Sequence, residues 1–162
     1  MAVVIDTNVP VVANGQHHPA GDDCVWACTE ALTLARNDAV LIDDGGRILR
    51  EYRNNLNAGG QPGVGDAFFK WIWDNQCNAE RVRQVEIQPR DGSDTDFMEY
   101  PADLDLARLD PADRKFVAVV VASGCGPDLL NATDRDWWEL RISLQRNGVN
   151  VRFLCPELMA AM

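Results

Sequence analysis

Apolar residues in this chain fall into short β-branched runs, separated by longer stretches with helical spacing. Val3-Val4-Ile5 is the first run, and it stops at Asp6. A run that is apolar at every position, rather than at alternate ones, predicts a strand buried on both faces of a parallel sheet. Ala39-Val40-Leu41-Ile42 repeats the form and ends in Asp43-Asp44 before Gly45-Gly46. Leu129-Leu130-Asn131-Ala132-Thr133 is a third run, leading into Asp134-Arg135-Asp136. Residues 83–87 and 149–154 supply two more strands. Between the strands the period changes. Pro10 stands where it can open a helix. Residues 22–37 carry Val25, Cys28, Leu32 and Ala35 on one stripe, with Asp22 and Asp23 as caps. Residues 47–57 turn Ile48, Tyr52 and Leu56 inward, and the glycine-rich stretch 58–65 reads as a loop.

The second half continues the alternation. Residues 65–75 predict an aromatic helix with Phe68, Trp71 and Ile72 inward, and Phe69 and Trp73 partly outside that face. All five are read as core, with an exposed interface patch as the rival reading. Asp110-Pro111-Ala112-Asp113 opens an apolar helix through Ala122 that Ser123-Gly124 closes. A last helix covers residues 136–147, with Asp136 as its cap and Gly148 just beyond its end. Strands alternating with helices predict the α/β class: a doubly wound parallel sheet in one domain spanning residues 1–162.

Composition agrees with that picture. The chain has 162 residues, 46% apolar and 25% charged, which suits one domain with its own core. No apolar run approaches the roughly 18–20 residues of a membrane span. The N-terminus lacks a basic segment, and Asp6 interrupts any signal-like apolar stretch, so a cytoplasmic protein is expected. Five scattered cysteines argue against a disulfide framework. Cys24 and Cys28 are four apart, with His17 and His18 upstream, yet zinc needs four convergent ligands. The two cysteines are read as part of a helix face in the core.

Charge changes the picture more. The net charge of −10 weighs against a broad nucleic-acid surface. It is also uneven: Asp91, Asp94, Asp96, Glu99, Asp103, Asp105 and Asp110 face only Arg108 over residues 91–110. Such a block is expected to be a solvated loop.

Two strands that end in carboxylates point to a hard divalent cation. Oxygen ligands gathered at one point repel each other unless a metal neutralises them. Asp6 and Asp134 stand at strand ends, Glu51 lies in the helix after the second strand, and Asp113 opens the apolar helix. Each has an ordinary explanation when taken alone. Asp6 and Asp113 suit helix starts, and Glu51 suits a solvent-facing helix surface.

Taken together, Val3-Val4-Ile5-Asp6-Thr7-Asn8, Ile48-Leu49-Arg50-Glu51-Tyr52, Asp113-Arg114-Lys115-Phe116-Val117-Ala118 and Asn131-Ala132-Thr133-Asp134-Arg135-Asp136-Trp137 resemble the PIN-domain nuclease family, nearly end to end. The resemblance implies a PIN-like three-layer α/β/α sandwich with a central parallel sheet of about five strands. It implies cleavage of RNA phosphodiester bonds with Mg2+ or Mn2+, with Asp6, Glu51, Asp113 and Asp134 as the metal-binding and catalytic acids. Thr7 or Asn8 would orient Asp6, Thr133 would hydrogen-bond within the site, and Asp136 would be a fifth acid. Bacterial members of this size are often toxins silenced by an antitoxin protein, so an antitoxin and a homodimer are the expected partners besides RNA. The alternative is a PIN-like module that binds RNA or protein and does not cut.

Two other folds with an acid after the first strand fit poorly. A haloacid-dehalogenase-type phosphatase needs a second Asp where Asn8 stands. A response-regulator receiver needs a late Lys, and none follows Lys115.

Overall fold

Five parallel strands form the centre of the protein: β1 (Ala2–Ile5), β2 (Ala39–Asp43), β3 (Val82–Val85), β4 (Asp128–Asn131) and β5 (Val151–Phe153). Their order is β3-β2-β1-β4-β5, with every pairing parallel. The computed structural model describes residues 1–15 and 20–160, so His17 and His18 lie outside the described residues. Between the strands run α1 (Asn8–Ala13), α2 (Asp22–Ala35), α3 (Arg47–Asn55), α4 (Val64–Asn75) and α5 (Arg114–Ser123). After β4 come α6 (Arg135–Glu139) and α7 (Arg141–Arg146), and α8 (Pro156–Ala160) follows β5. The helices flank the sheet as the outer layers of an α/β/α sandwich. Among the described residues, no helix is long and apolar enough to cross a membrane.

β1, β2 and β4 are buried along nearly their whole length, as their unbroken apolar runs require. The strand order reverses between β1 and β4, both of which lead away from the centre in opposite directions. Open α/β sheets have their crevice at such a point, outside the carboxyl ends of the strands. Asp6 and Asp134 leave the sheet there.

Several local expectations are corrected. Gly21 in extended backbone precedes α2, and Asp22 and Asp23 occupy its first turn, where acids complement the helix dipole without capping it. Val25 is only half-buried, and Cys24 and Ala31 join the buried stripe. On α4, Phe69 is fully buried as the core reading has it, packing edge-on to Tyr52 at 6.1 Å between ring centres, whereas two of the five aromatic-helix residues depart from it. Trp71 is half-buried, and exposed Trp73 lies under the Arg53 guanidinium. The cause is that α4 packs on α1, α2 and α3 at once, which covers more of its circumference than one stripe. At Gly65 an added Cβ would meet the Pro10 carbonyl oxygen at 1.9 Å, so α1 and α4 touch backbone to backbone.

The expected helix 136–147 is two pieces. The backbone leaves helical values at Leu140 (φ −96°, ψ 6°), and Arg141 Nη1 takes the freed Trp138 carbonyl at 2.6 Å. The cap of α6 is Asp134, whose Oδ1 accepts from the Asp136 N–H at 3.0 Å, and not Asp136.

The acidic segment is no freely solvated loop. Phe97, Tyr100, Leu106 and Leu109 are buried within it, and arginines hold its acids from outside. Arg146 binds Asp103 at 2.6 Å and Asp105 at 3.1 Å, Arg47 approaches Asp94 at 3.5 Å, and Arg90 approaches Asp96 at 3.4 Å. A disulfide joins Cys24 to Cys155 across 131 positions, a pairing that cysteine spacing did not suggest. Cys28 stays a buried thiol, which burial pushes up to about 12, while Cys77 and Cys125 are exposed.

Candidate metal centre

The β1–β4 register sets the site. Ile5 lies beside Leu130, so the next residues along each strand, Asp6 and Asn131, become neighbours. The Asp6 N–H continues the ladder to the Leu130 carbonyl at 3.1 Å. Asn131, fully buried, donates through Nδ2 to Asp6 Oδ2 at 2.9 Å and accepts the Asp134 N–H through Oδ1 at 3.2 Å. One amide thus holds the first acid and aims the turn that carries the second. Asn131 was absent from the expected site, although a polar residue ending an apolar strand beside Asp6 was its visible signal.

The third acid arrives from the other direction. Asp110 caps a short 3-10 turn, accepting from the Ala112 N–H at 3.0 Å, with Pro111 opening that turn. The turn delivers Asp113 to the start of α5, where its side chain makes no capping hydrogen bond. Asp6, Asp113 and Asp134 then each offer a carboxylate oxygen, all within 4.8 Å of one another.

This convergence is electrostatically unfavourable. Burial first, then the charges of Asp113, Asp134 and Glu51, push the Asp6 carboxyl well above the ordinary aspartate range. Asp113 is pushed up to about 7 by burial, then by Asp134, Glu51 and Asp110, with Lys115 pulling the other way. Asp134 is raised too, mainly by burial and against the hydrogen bond from the Asp136 N–H.

Glu51 is near this group but already engaged. Tyr52 donates its hydroxyl proton to the Ile5 carbonyl at 2.5 Å, which ties α3 to the end of β1. Glu51, on the adjoining face, accepts from the Thr7 hydroxyl through one oxygen. Its other oxygen is 2.8 Å from the Lys115 ammonium, which also donates to the Ala112 carbonyl. Lys115 was not singled out by sequence because it reads as an ordinary helical lysine, yet it is buried.

The supporting residues divide. Thr7 holds Glu51 rather than Asp6. Asn8 places its backbone N–H on Asp6 and its side-chain oxygen on the Ala132 N–H at 3.1 Å, so it clamps the exit of β4. Thr133 is half-buried, with no side-chain hydrogen bond among the described residues. Asp136 is exposed and lies outside the three-acid group.

Three carboxylates with one neutral amide behind them form an all-oxygen donor set that suits a hard cation. An ion would also relieve the repulsion that raises Asp6 and Asp113. The chain matches no family model, no curated protein and no solved structure.

Proposed function

We propose that the chain is a divalent-metal-dependent endoribonuclease of the PIN-like type. The observation that carries the reading is the convergence of Asp6, Asp113 and Asp134 within 4.8 Å at the point where the sheet reverses. Mg2+ or Mn2+ would be held by these three acids. Such an ion would contribute a water of lowered pKa and would offset charge on the leaving oxygen of a phosphodiester. The rest falls to the chain's own groups. Asn131 donates through Nδ2 to the Asp6 carboxylate and accepts the Asp134 backbone N–H through Oδ1, which keeps both acids in place. Asp113, free of any cap, presents its carboxylate to the group. Glu51, held between Thr7 and Lys115, is the acid positioned at the edge of the group to accept or hold a proton.

The toxin role belongs to the same proposal, with an antitoxin protein or a second copy of the chain as partner. Induced expression should then arrest growth for the wild type and not for Asp6→Asn.

The central test is cleavage of pooled cellular RNA with Mn2+ present or chelated, with the cut sites mapped. Cleavage that needs Mn2+ and vanishes in Asp6→Asn and Asp134→Asn supports the reading. RNA held but uncut under all metal conditions favours the alternative, a binding module. A second readout does not depend on activity. Metal that binds only the assembled site should stabilise the fold by about 2.7 kcal/mol at 100 times its Kd, seen as a rise in Tm.

A further inference from the structure

A buried cation stands beside the carboxylates. Lys115 lies in the first turn of α5, two positions after Asp113, with its side chain buried. Its ammonium is 2.8 Å from Glu51 Oε1 and also donates to the Ala112 carbonyl. The other Glu51 oxygen accepts from the Thr7 hydroxyl. Both oxygens of this acid are therefore engaged, and Glu51 stands outside the group that Asp6, Asp113 and Asp134 form within 4.8 Å. It is close to them all the same. The charge of Glu51 raises both Asp6 and Asp113, and that of Lys115 lowers Asp113.

Metal-assisted phosphodiester hydrolysis can use a pair of divalent ions about 3.5–4 Å apart, one on the attacking oxygen and one on the leaving oxygen. A second ion here would need a further acid. Asp110 is spent on the Ala112 N–H, and Asp136 is exposed. Glu51 is part-buried and near both Asp6 and Asp113, so it is the acid such an ion would take. To bind it, Glu51 would have to release Lys115. The ammonium would then keep the Ala112 carbonyl as its acceptor and lose its counter-charge while buried, which is strongly unfavourable. A cation carried by the chain also needs no recruitment from solution.

We infer that the Lys115 ammonium is the resident second cation of this site, so that the three acids take one divalent ion and Glu51 takes none. The inference rests on the reading of the three acids as a metal centre. Lys115 is then a positioning residue. It fixes Glu51 against Thr7 at the edge of the group, and the remaining lone pairs of that carboxylate keep it a proton acceptor.

The test counts Mn2+ bound by the metal-free full chain, with the spin-resonance signal of the free ion as readout. Wild type should saturate at one equivalent, and Asp6→Asn should lose it. Lys115→Ala vacates the place of the ammonium and frees Glu51, so it should take a second equivalent. The pair Lys115→Ala/Glu51→Gln should give that equivalent up again, and Lys115→Arg, which restores the charge, should return to one. A lysine with a merely structural role would shift Tm and leave the count at one. Circular dichroism checks each fold, and Lys115→Gln, uncharged and of similar reach, replaces Lys115→Ala should that variant not fold. Two equivalents on wild type, or one on the folded uncharged variant, overturns the inference and leaves the metal centre standing. No Mn2+ on wild type overturns both.

Discussion

Asp66 and Asp6 are almost equally hidden, at 2% and 4% exposure, in two regions that treat a buried carboxylate in opposite ways. Asp66 sits at the junction of α1 and α4. It accepts from the Asn57 N–H at 2.8 Å, the Gly63 N–H at 2.9 Å and Asn14 Nδ2 at 3.0 Å. Burial pushes its carboxyl up, but these bonds outweigh burial and hold it below the usual aspartate range. Asp6 has the Asn131 amide and the Asn8 N–H, set against three other acids, and its carboxyl rises. A buried acid whose lone pairs are filled by donors holds two helices and a loop together. A buried acid left among like charges weakens the fold unless a proton or a cation offsets the repulsion.

The largest effect expected is the loss of chemistry at Asp6. Asp6→Asn keeps the side-chain volume and removes one charge, so cleavage should fall by about 10³-fold, within the range for groups that move protons or hold the reacting water. The Tm of the metal-free variant should stay level or rise. A metal-free Asp6→Asn that unfolds at markedly lower temperature would mean that Asp6 is structural, and the contrast with Asp66 would collapse.

Asp66→Ala should do the reverse. It leaves two backbone N–H groups and the Asn14 amide without their acceptor, which costs about 3 kcal/mol. Urea unfolding should show that loss, while cleavage per folded molecule stays at the wild-type level. Unchanged stability would show that water replaces the carboxylate without penalty.

Glu51 sharpens the comparison because it lies between the two cases. In Glu51→Gln the Lys115 ammonium, 9% exposed, loses its ion partner, while Thr7 keeps a hydrogen-bond acceptor. Glu51 itself is 24% exposed, so the loss should be about 2 kcal/mol, less than for a fully buried pair. Adding Lys115→Met should restore most of it. A double variant no more stable than Glu51→Gln alone would remove the ion pair as the cause.

A pH trend in the metal-free protein tests the comparison without any substitution. The Asp113 carboxyl moves from 3.8 in the unfolded chain to about 7 in the fold. Between those values the folded state holds a proton that the unfolded state has lost. Stability should therefore fall as pH rises through that window and level off above about 7. Asp66 acts in the opposite sense, with its contribution lost only as acid protonates it below the usual aspartate range. Melting curves at pH 5 and pH 8 with chelator present should show the higher Tm at pH 5, and Asp113→Asn should flatten the difference. A Tm that rises from pH 5 to pH 8 without metal would contradict the cluster.

Much of the fold was legible because it is written locally. Val3-Val4-Ile5 followed by Asp6, and Asp110-Pro111 ahead of an apolar run, each state an element and its end within a few residues. The candidate site was half legible for the same reason. Asp6, Asp113 and Asp134 sit at element ends, where the chain's own punctuation marks them. Glu51 could be placed on its helix, but not in its ion pair, because Lys115 comes from a helix 64 positions away. Asn131 could be seen as a polar strand end, but its two hydrogen bonds depend on β1 and β4 being neighbours.

By itself, the sequence determined the α/β alternation, the doubly wound parallel sheet and the acids that close its strands. Periodicity and capping act over one or two turns of chain, so nearby residues suffice to specify them. Only the tertiary structure decided that Trp73 stays exposed, that the helix after β4 breaks at Leu140 and that Cys155 meets Cys24. It also decided that three acids share one point while Glu51 answers to Lys115. Those outcomes depend on which element covers a face and which strand lies alongside. Such contacts join residues far apart in sequence, and their energies exist only once the sheet has been assembled.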